Sequence, residues 1–203
     1  MLDMNLEEKK MPNWCDNTVV ITHEDDAFIQ RIEDAYHADK LISEFYPCPQ
    51  ELQDTTAGRV GSDDSYEQKL LKFRQELNLE YFGAKDWYDW QVSHWGTKWD
   101  IASDNGNCDR QEKMITLSFC SAYSPPTGFY DTLVEMGCSV QAYYYEGGCC
   151  FCGEYFDGVD ECYDITGDSL WVKENIPSAI DEAFNISENM KYWEEENMEE
   201  ENA

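Results

Sequence analysis

KMITLSFCSAYSPPTGFYDTLVEMGCSVQAYYYEGG, residues 113–148, decides the fold. In KMITLSFCSAY, Ile115, Leu117, Phe119 and Ser121 fall at every second position, the period of a strand with one face turned inward. Pro125, Pro126 and Gly128 break that strand. TGFYDTLVEMG then changes to a helical pattern, with Gly137 placed as its C-terminal cap. SVQAYYYEGG returns to alternation and reads as the next strand. A strand–helix–strand run of this kind needs a second like it to bury both faces of its pattern.

The second run lies upstream. NTVVITH (17–23) is rich in β-branched residues and reads as a strand. The acidic stretch from Glu24 opens a helix in which Ala27, Phe28, Ile32 and Ala35 recur at helical spacing, while Asp25 and Asp26 complement the positive end of its dipole. LISEFYP (41–47) reads as a second extended segment, stopped by Pro47 and Pro49. Between the halves, residues 54–65 read as loop. Tyr66 to Asn78 reads as a helix with Leu70, Leu71, Phe73 and Leu77 as its apolar face. AKDWYDWQVSHW (84–95) reads as a shorter helix halted by Gly96. The order predicts an α+β domain of the ferredoxin-like split βαβ kind, an antiparallel sheet with helices on one face and helices inserted between the halves.

The flanks divide the chain further. Residues 1–10 read as an appendage, with Met11 a plausible start of translation, and 11–165 as the domain. Residues 166–192 read as a helical extension: IPSAIDEAFNISENMKYWEEE has helical pattern, with Pro177 in the first turn. The acidic run 193–203 reads as a disordered tail.

Charge narrows the function. There are 14 Lys and Arg against 43 Asp and Glu, a net charge of −29. A chain so charged repels nucleic acid and anionic membranes at long range and attracts basic partners. No apolar run approaches the roughly 18 residues of a membrane span, and MLDMNLEEKK has the pattern of neither a signal nor a transit peptide. The expected location is cytoplasmic. Nine scattered cysteines, an odd number, fit reduced thiols better than a disulfide framework.

MPNWCDN (11–17), WYDWQVSHWGTKWD (87–100), FCSAYSPP (119–126) and YYYEGGCCFCGEYFDG (143–158) together resemble the YubB-type ferredoxin-like domain family of bacteriophages and conjugative plasmids. The likeness runs from Met11 to about Gly158. It implies a ferredoxin-like domain and a mobile-element origin, and it implies no activity. The chain departs from the family pattern at Tyr123, where a tryptophan is usual before SPP, and at Cys149, Cys150 and Cys152. Residues 166–203 are additional to it.

Several groups are candidate sites. Trp87, Trp90, Trp95 and Trp99 form the densest aromatic cluster, either a partner-binding surface or a small core. A base-stacking site would be more basic than this one. His94, Lys98 and Asp100, with Asp89 nearby and Glu146 further on, make the nearest approach to a catalytic set, against the plainer reading of a structural ion pair. Cys149, Cys150, Cys152 and Cys162 invite zinc, but C-C-x-C with a distant fourth thiol lacks the paired spacing of structural zinc sites. No metal or cofactor is expected. Gly147, Gly148 and Gly153 lack the Lys-Ser/Thr of a phosphate cradle and suit a turn between strands.

Two functions follow. The first is a non-enzymatic accessory protein of a phage or mobile element, in the host cytoplasm. It would bind a host protein with a basic surface, such as a nucleic-acid-binding protein or a defence factor, through Trp87, Trp90 and the acidic residues Glu194, Glu195 and Glu196. Duplex DNA carries one charge per ~1.7 Å of axis, so the excess charge matches roughly 50 Å of duplex, which makes nucleic-acid mimicry and counter-defence a natural mode. The second is a small enzyme or nucleotide-binding protein with a site near His94, Lys98, Asp100 and Glu146. Direct nucleic-acid binding by the sheet face ranks below both, because the charge opposes it.

Overall fold

In the computed structural model, which describes residues 13–61 and 65–201, β1 (Trp14–Thr22) is the strand on which the sheet is organised. It pairs antiparallel with β3 (Met114–Ala122) on one side and with β4 (Ser139–Glu146) on the other. β2 (Asn107–Gln111) forms a hairpin outside β3. β5 (Phe151–Phe156) and β6 (Val159–Asp164) continue as a meander beyond β4. The six strands run in the order β2-β3-β1-β4-β5-β6, every pair antiparallel.

Alternation decides which face each residue serves. Val19 and Ile21 of β1, Ile115, Leu117 and Phe119 of β3, and Val140 and Ala142 of β4 all enter one core. The helices α1 (Asp26–His37), α2 (Gln50–Gln53), α4 (Trp87–Trp95) and α5 (Thr127–Glu135) close that core through Ile29, Ile32, Leu52, Trp90, Phe129 and Leu133. α3 (Tyr66–Phe82) lies outside it except for Phe82 at its end. Asp25, Ser65 and Asp86 cap α1, α3 and α4 through side-chain oxygens that accept from backbone N–H groups, as N-cap residues do.

Four expectations change on contact with the structure. LISEFYP is not a strand. Residues 40–46 wind as turns, with the N–H of Glu44 bonded to the Lys40 carbonyl and that of Tyr46 to Ile42. The reason lies in the spacing: Leu41, Ile42 and Phe45 are buried together at three- and four-residue intervals, which a helical turn satisfies as well as a strand. The partner strand is instead β2, NCDRQ, after the inserted helices rather than before them.

Helices also cover both faces. α6 (Ser169–Asn175), α7 (Ser178–Phe184) and α8 (Ile186–Glu201) build a second core on the opposite face of β4 and β5, where Val172, Ile176, Ile180 and Ile186 meet Cys152, Tyr143 and Tyr145. The single terminal helix read from 176–196 is thus two, broken at Asn185, whose φ of 52° ends α7 in the left-handed region. The Asp181 carboxylate then accepts from Ser187 N and Oγ, both at 2.7 Å, and starts α8. Finally, residues 193–201 continue α8 as helix where a disordered tail was expected. The appendage 1–10 and the proposed start at Met11 lie outside the described residues. No helix among the described residues is long and apolar enough to cross a membrane.

Among the described residues, no helix covers the alternate face of β1 and β3. Asp16, Thr18, Val20 and Thr22 of β1, with Thr116, Ser118 and Cys120 of β3, remain partly or fully exposed there. Both sheet edges, β2 with Asp109 and β6 with Asp160, Glu161 and Asp164, are polar or acidic, which discourages edge-to-edge pairing.

Candidate functional site

The four residues of the proposed catalytic set each have a structural occupation. The Asp100 carboxylate accepts from three backbone N–H groups, Ile42 at 2.7 Å, Ser43 at 2.9 Å and Ile101 at 2.9 Å, and so holds the 40–46 turn against the loop after α4. Glu146 is buried and accepts from the backbone N–H of Gly148 and of Cys149, which shapes the turn between β4 and β5. His94 stacks on Trp90 with ring centroids 4.3 Å apart, its Nδ1 2.9 Å from the Trp90 carbonyl oxygen. Lys98 places its ammonium 4.2 Å from the Trp99 ring centroid and 5.5 Å from that of Tyr88, a cation–π arrangement.

The tryptophans divide differently from the sequence reading. Trp90 and Trp95 are buried, and Trp87 packs on the same core. Trp90 is thus an interior group and unavailable to a partner, whereas Trp87 is partly buried and lines a shallow groove with Gln91, Trp95 and Trp99. Trp193 on α8 is exposed at 64%, and beside the sheet the exposed indoles are Trp14, at 47%, and Trp99, at 38%, whose ring centroids lie 6.2 Å apart. Trp14 was legible only as part of the MPNWCDN motif. It starts β1 on the side that no helix covers, a position that emerges once the strand's phase is known. Tyr123, just after β3, is also exposed; it has φ 74° and its N–H bonds the Asn13 carbonyl at 2.9 Å.

Trp14 and Trp99 border a groove of about 570 Å³, lined also by Asp100, Ala102, Asp104, Cys120 and Ala122. It opens at the end of the bare sheet face, beside Asp16, whose carboxylate accepts from Cys120 Sγ at 3.1 Å. Burial first, then the hydrogen bond and charge of Asp16, push the Cys120 thiol up to about 11, so it is no nucleophile at neutral pH. A groove with two indoles on one wall and carboxylates beside it suits a cationic, partly apolar guest such as an arginine or lysine side chain.

Beneath this site a buried polar network explains two of the motifs. Asn17 donates to the Cys15 carbonyl and to Ser121 Oγ, each at 2.8 Å, and accepts from the Tyr130 hydroxyl at 3.2 Å. Ser121 in turn donates to the Ser124 carbonyl at 2.8 Å. MPNWCDN and the SPP turn are therefore joined through side chains inside the fold.

The acidic residues of the terminal segment are partly engaged within the chain. Glu194 accepts from Ser169 N at 2.8 Å and Oγ at 2.7 Å, which ties α8 to α6. Glu195 lies 3.7 Å from Lys191, and Glu196 raises the pKa of the Tyr192 hydroxyl. Most acids nonetheless lie at the surface, since Asp86 and Glu146 are the only buried ones among the described residues.

All nine cysteines are unpaired. The strand register puts Cys152 opposite Tyr145 and Cys162 opposite Gly153, so the two thiols point to opposite faces of the sheet and cannot share an ion. Cys152 is a buried hydrophobe of the second core, its thiol pushed up to about 12 chiefly by burial. A different trio, Glu33 and His37 on α1 with Cys108 on β2, brings three ligand atoms within 4.8 Å of one another. There the Glu33 carboxylate already lies 3.6 Å from Arg110 and accepts from Gln30 at 3.0 Å, so a cation would compete with a guanidinium for it.

A second groove, lined by Tyr144, Phe151, Asp160 and Cys162 among others, contains the Tyr144–Asp160 hydrogen bond at 2.8 Å. Partial removal from water raises the Asp160 carboxyl, the Tyr144 bond opposes this, and the charge of Asp131 adds to it. Asp160 therefore binds its proton more tightly folded than unfolded. Its contribution to stability is complete below the unfolded pKa and is lost as pH rises through the folded value. An Asp160→Asn protein is expected to gain stability relative to wild type as pH rises from about 3 to 7, measured by urea midpoints. A difference that stays constant across that range would show that Asp160 is as well solvated folded as unfolded.

No protein-family model matches the chain, and no curated protein matches it. Among solved structures it is similar to the crystal structure of protein api92 from Yersinia pseudotuberculosis, described with the family model DUF1281, at 12% identity over 77% of this chain and 99% of that one, with a TM-score of 0.42. A likeness at that level transfers neither topology nor function.

Proposed function

We propose that the chain is a non-enzymatic acidic accessory protein that binds a basic surface on a host protein through the Trp14–Trp99 groove. The observation that carries this reading is the groove itself: two half-exposed indoles wall it on a chain whose net charge is −29. Exposed tryptophans at the rim of a pocket are the residues most often found to anchor interfaces. The surrounding carboxylates speed encounter with a basic partner and suppress acidic ones.

The architecture beneath the groove is, on this reading, a ferredoxin-like split βαβ. β1-α1-β2 and β3-α5-β4 are its two halves, the order β2-β3-β1-β4 is its sheet, and α2 to α4 are inserted between α1 and β2. β5, β6 and α6 to α8 are additions to it. The setting we infer is a phage or mobile element acting in the host cytoplasm. That rests on the four motifs, two of which meet in one buried network through Asn17, Ser121 and Ser124. Mimicry of nucleic acid is the mode that the surface acids favour, with the groove supplying an anchor that a phosphate track lacks. The enzymatic alternative at His94, Lys98, Asp100 and Glu146 draws no support from their contacts, since each is committed to the fold.

Affinity capture from nuclease-treated host lysate tests the reading. Wild type is expected to retain a host protein with a basic surface at low salt and to release it at high salt. A Trp14→Ala/Trp99→Ala protein, folded by circular dichroism, is expected to retain at least tenfold less of it. Equal capture by the variant would remove the groove from the account, and capture of nothing by wild type would remove the binding function.

A further inference from the structure

α3 is built inside out. Its buried positions are polar, Gln75 and Asn78. Gln75 Nε2 donates to the Gly58 carbonyl at 3.0 Å, and Asn78 Nδ2 donates to Thr55 Oγ1 at 3.0 Å and to the Lys85 carbonyl at 2.9 Å. Amide clamps, not an apolar face, hold the middle of the helix to the domain. The apolar stripe faces away: Tyr66 is 79% exposed, Leu70 36%, Phe73 57% and Leu77 36%. Those four residues are spaced by four, three and four, the repeat of a helix seam rather than a scatter of surface hydrophobes. Helices normally turn such a stripe inward.

We propose that this stripe is the interface with a second copy of the chain, formed by antiparallel packing of α3 on its twin. Charge argues for this occupant. Elsewhere the surface is acidic, so two copies repel. α3 alone carries Lys69, Lys72 and Arg74 with Glu67, Glu76 and Glu80, three charges of each sign. Five of the six are also sorted along the helix, Glu67 in the first turn being the exception. Lys69, Lys72 and Arg74 lie in or near its first half, and Glu76 and Glu80 lie in its second. A parallel pair would set like against like. An antiparallel pair sets the basic half of one helix on the acidic half of the other.

The register that satisfies the seam also satisfies the flanks. With Leu70 opposite Phe73 of the twin, Tyr66 falls opposite Leu77 of the twin, and each layer occurs twice about the two-fold axis. The same register brings Glu67 beside Arg74 of the twin, again twice. An unrelated partner would have no reason to match both the seam and the charges of this helix to themselves. The inference is independent of the Trp14–Trp99 groove, with which the stripe shares no residue.

Sedimentation equilibrium of the full chain from about 1 to 300 µM tests it. The expected result is a monomer–dimer equilibrium that Phe73→Glu abolishes over that range. Glu67→Lys and Arg74→Glu, each at an exposed position outside the core, are each expected to weaken dimerisation roughly tenfold, because each places like charges together at two symmetric points. The doubly reversed Glu67→Lys/Arg74→Glu protein is expected to recover wild-type association to within about threefold, an outcome that a change in folding would not produce. A monomer at every concentration would overturn the proposal, as would a dimer indifferent to Phe73→Glu or a double reversal no better than the singles. Monomeric protein that instead binds neutral lipid vesicles through the stripe would overturn it in favour of a membrane surface.

Discussion

Gly128→Ala is expected to lower stability by about 3 kcal/mol or more, a fall in Tm on the order of 6–12 °C for a chain of this size. Gly128 is the second residue of α5, where the start of that helix meets the end of α4. A Cβ there would lie 1.9 Å from the His94 carbonyl oxygen and 2.8 Å from its carbon. Both are backbone atoms, so no side chain can swing aside and the two helices must separate. Trp90 and Trp95 on α4 and Phe129 on α5 share the core at this contact, so separation opens a gap among large side chains. Gly61→Ala is the matched control. Its added carbon would meet the flexible Gln68 side chain at 3.2 Å, and a change of no more than about 0.5 kcal/mol is expected. Equal, small effects at both sites, measured by thermal denaturation, would mean that α4 and α5 do not approach as described.

Asp100→Ala is expected to cost about 3–4 kcal/mol, because three backbone donors lose a charged acceptor and part of that loss is repaired by water. Asp100→Asn keeps one acceptor oxygen and sets an amide against a donor, so its cost should lie between that of wild type and that of alanine. The substitution also separates the two roles offered for this residue. A destabilised Asn variant identifies the carboxylate as the tie between the 40–46 turn and the loop after α4. A variant of unchanged Tm that loses function would restore Asp100 to a catalytic role.

How far the sequence reached can be judged from particular elements. β1, β3 and β4 were legible because each turns apolar residues into one core at every second position, as Val19, Ile21, Ile115, Leu117, Val140 and Ala142 do. β2 and β6 were not, because NCDRQ and VDECYD are edge strands whose polar residues leave no periodic signal. LISEFYP misled because apolar residues at 41, 42 and 45 satisfy two periods at once. α3 misled more deeply. Its apolar face was legible as periodicity, but periodicity does not say whether the face meets this chain's own core or something else. Among the tryptophans, helical spacing in 87–95 marked interior packing, while Trp14 and Trp99, which lack a periodic neighbour, reached the surface. The cysteine cluster at 149–162 was legible as a poor zinc site from spacing alone, and the strand register gives the reason, with Cys152 and Cys162 on opposite faces.

The acidity bears on function and assembly together. A monomer of charge −29 has few places where another acidic protein can approach, and α3, with three charges of each sign, is one on which the two signs balance. The Trp14–Trp99 groove is the opposite kind of surface, apolar within and acidic around, suited to a partner of the other sign.

Hydrogen–deuterium exchange of the protein alone and in complex with the host protein it captures tests the central claim most directly. The expected footprint is slowed exchange at residues 14–18 and 97–104, two of the segments that line the groove beside Cys120 and Ala122 of β3. Protection confined to other segments, such as α6 to α8, with residues 14–18 and 97–104 unchanged, would contradict it.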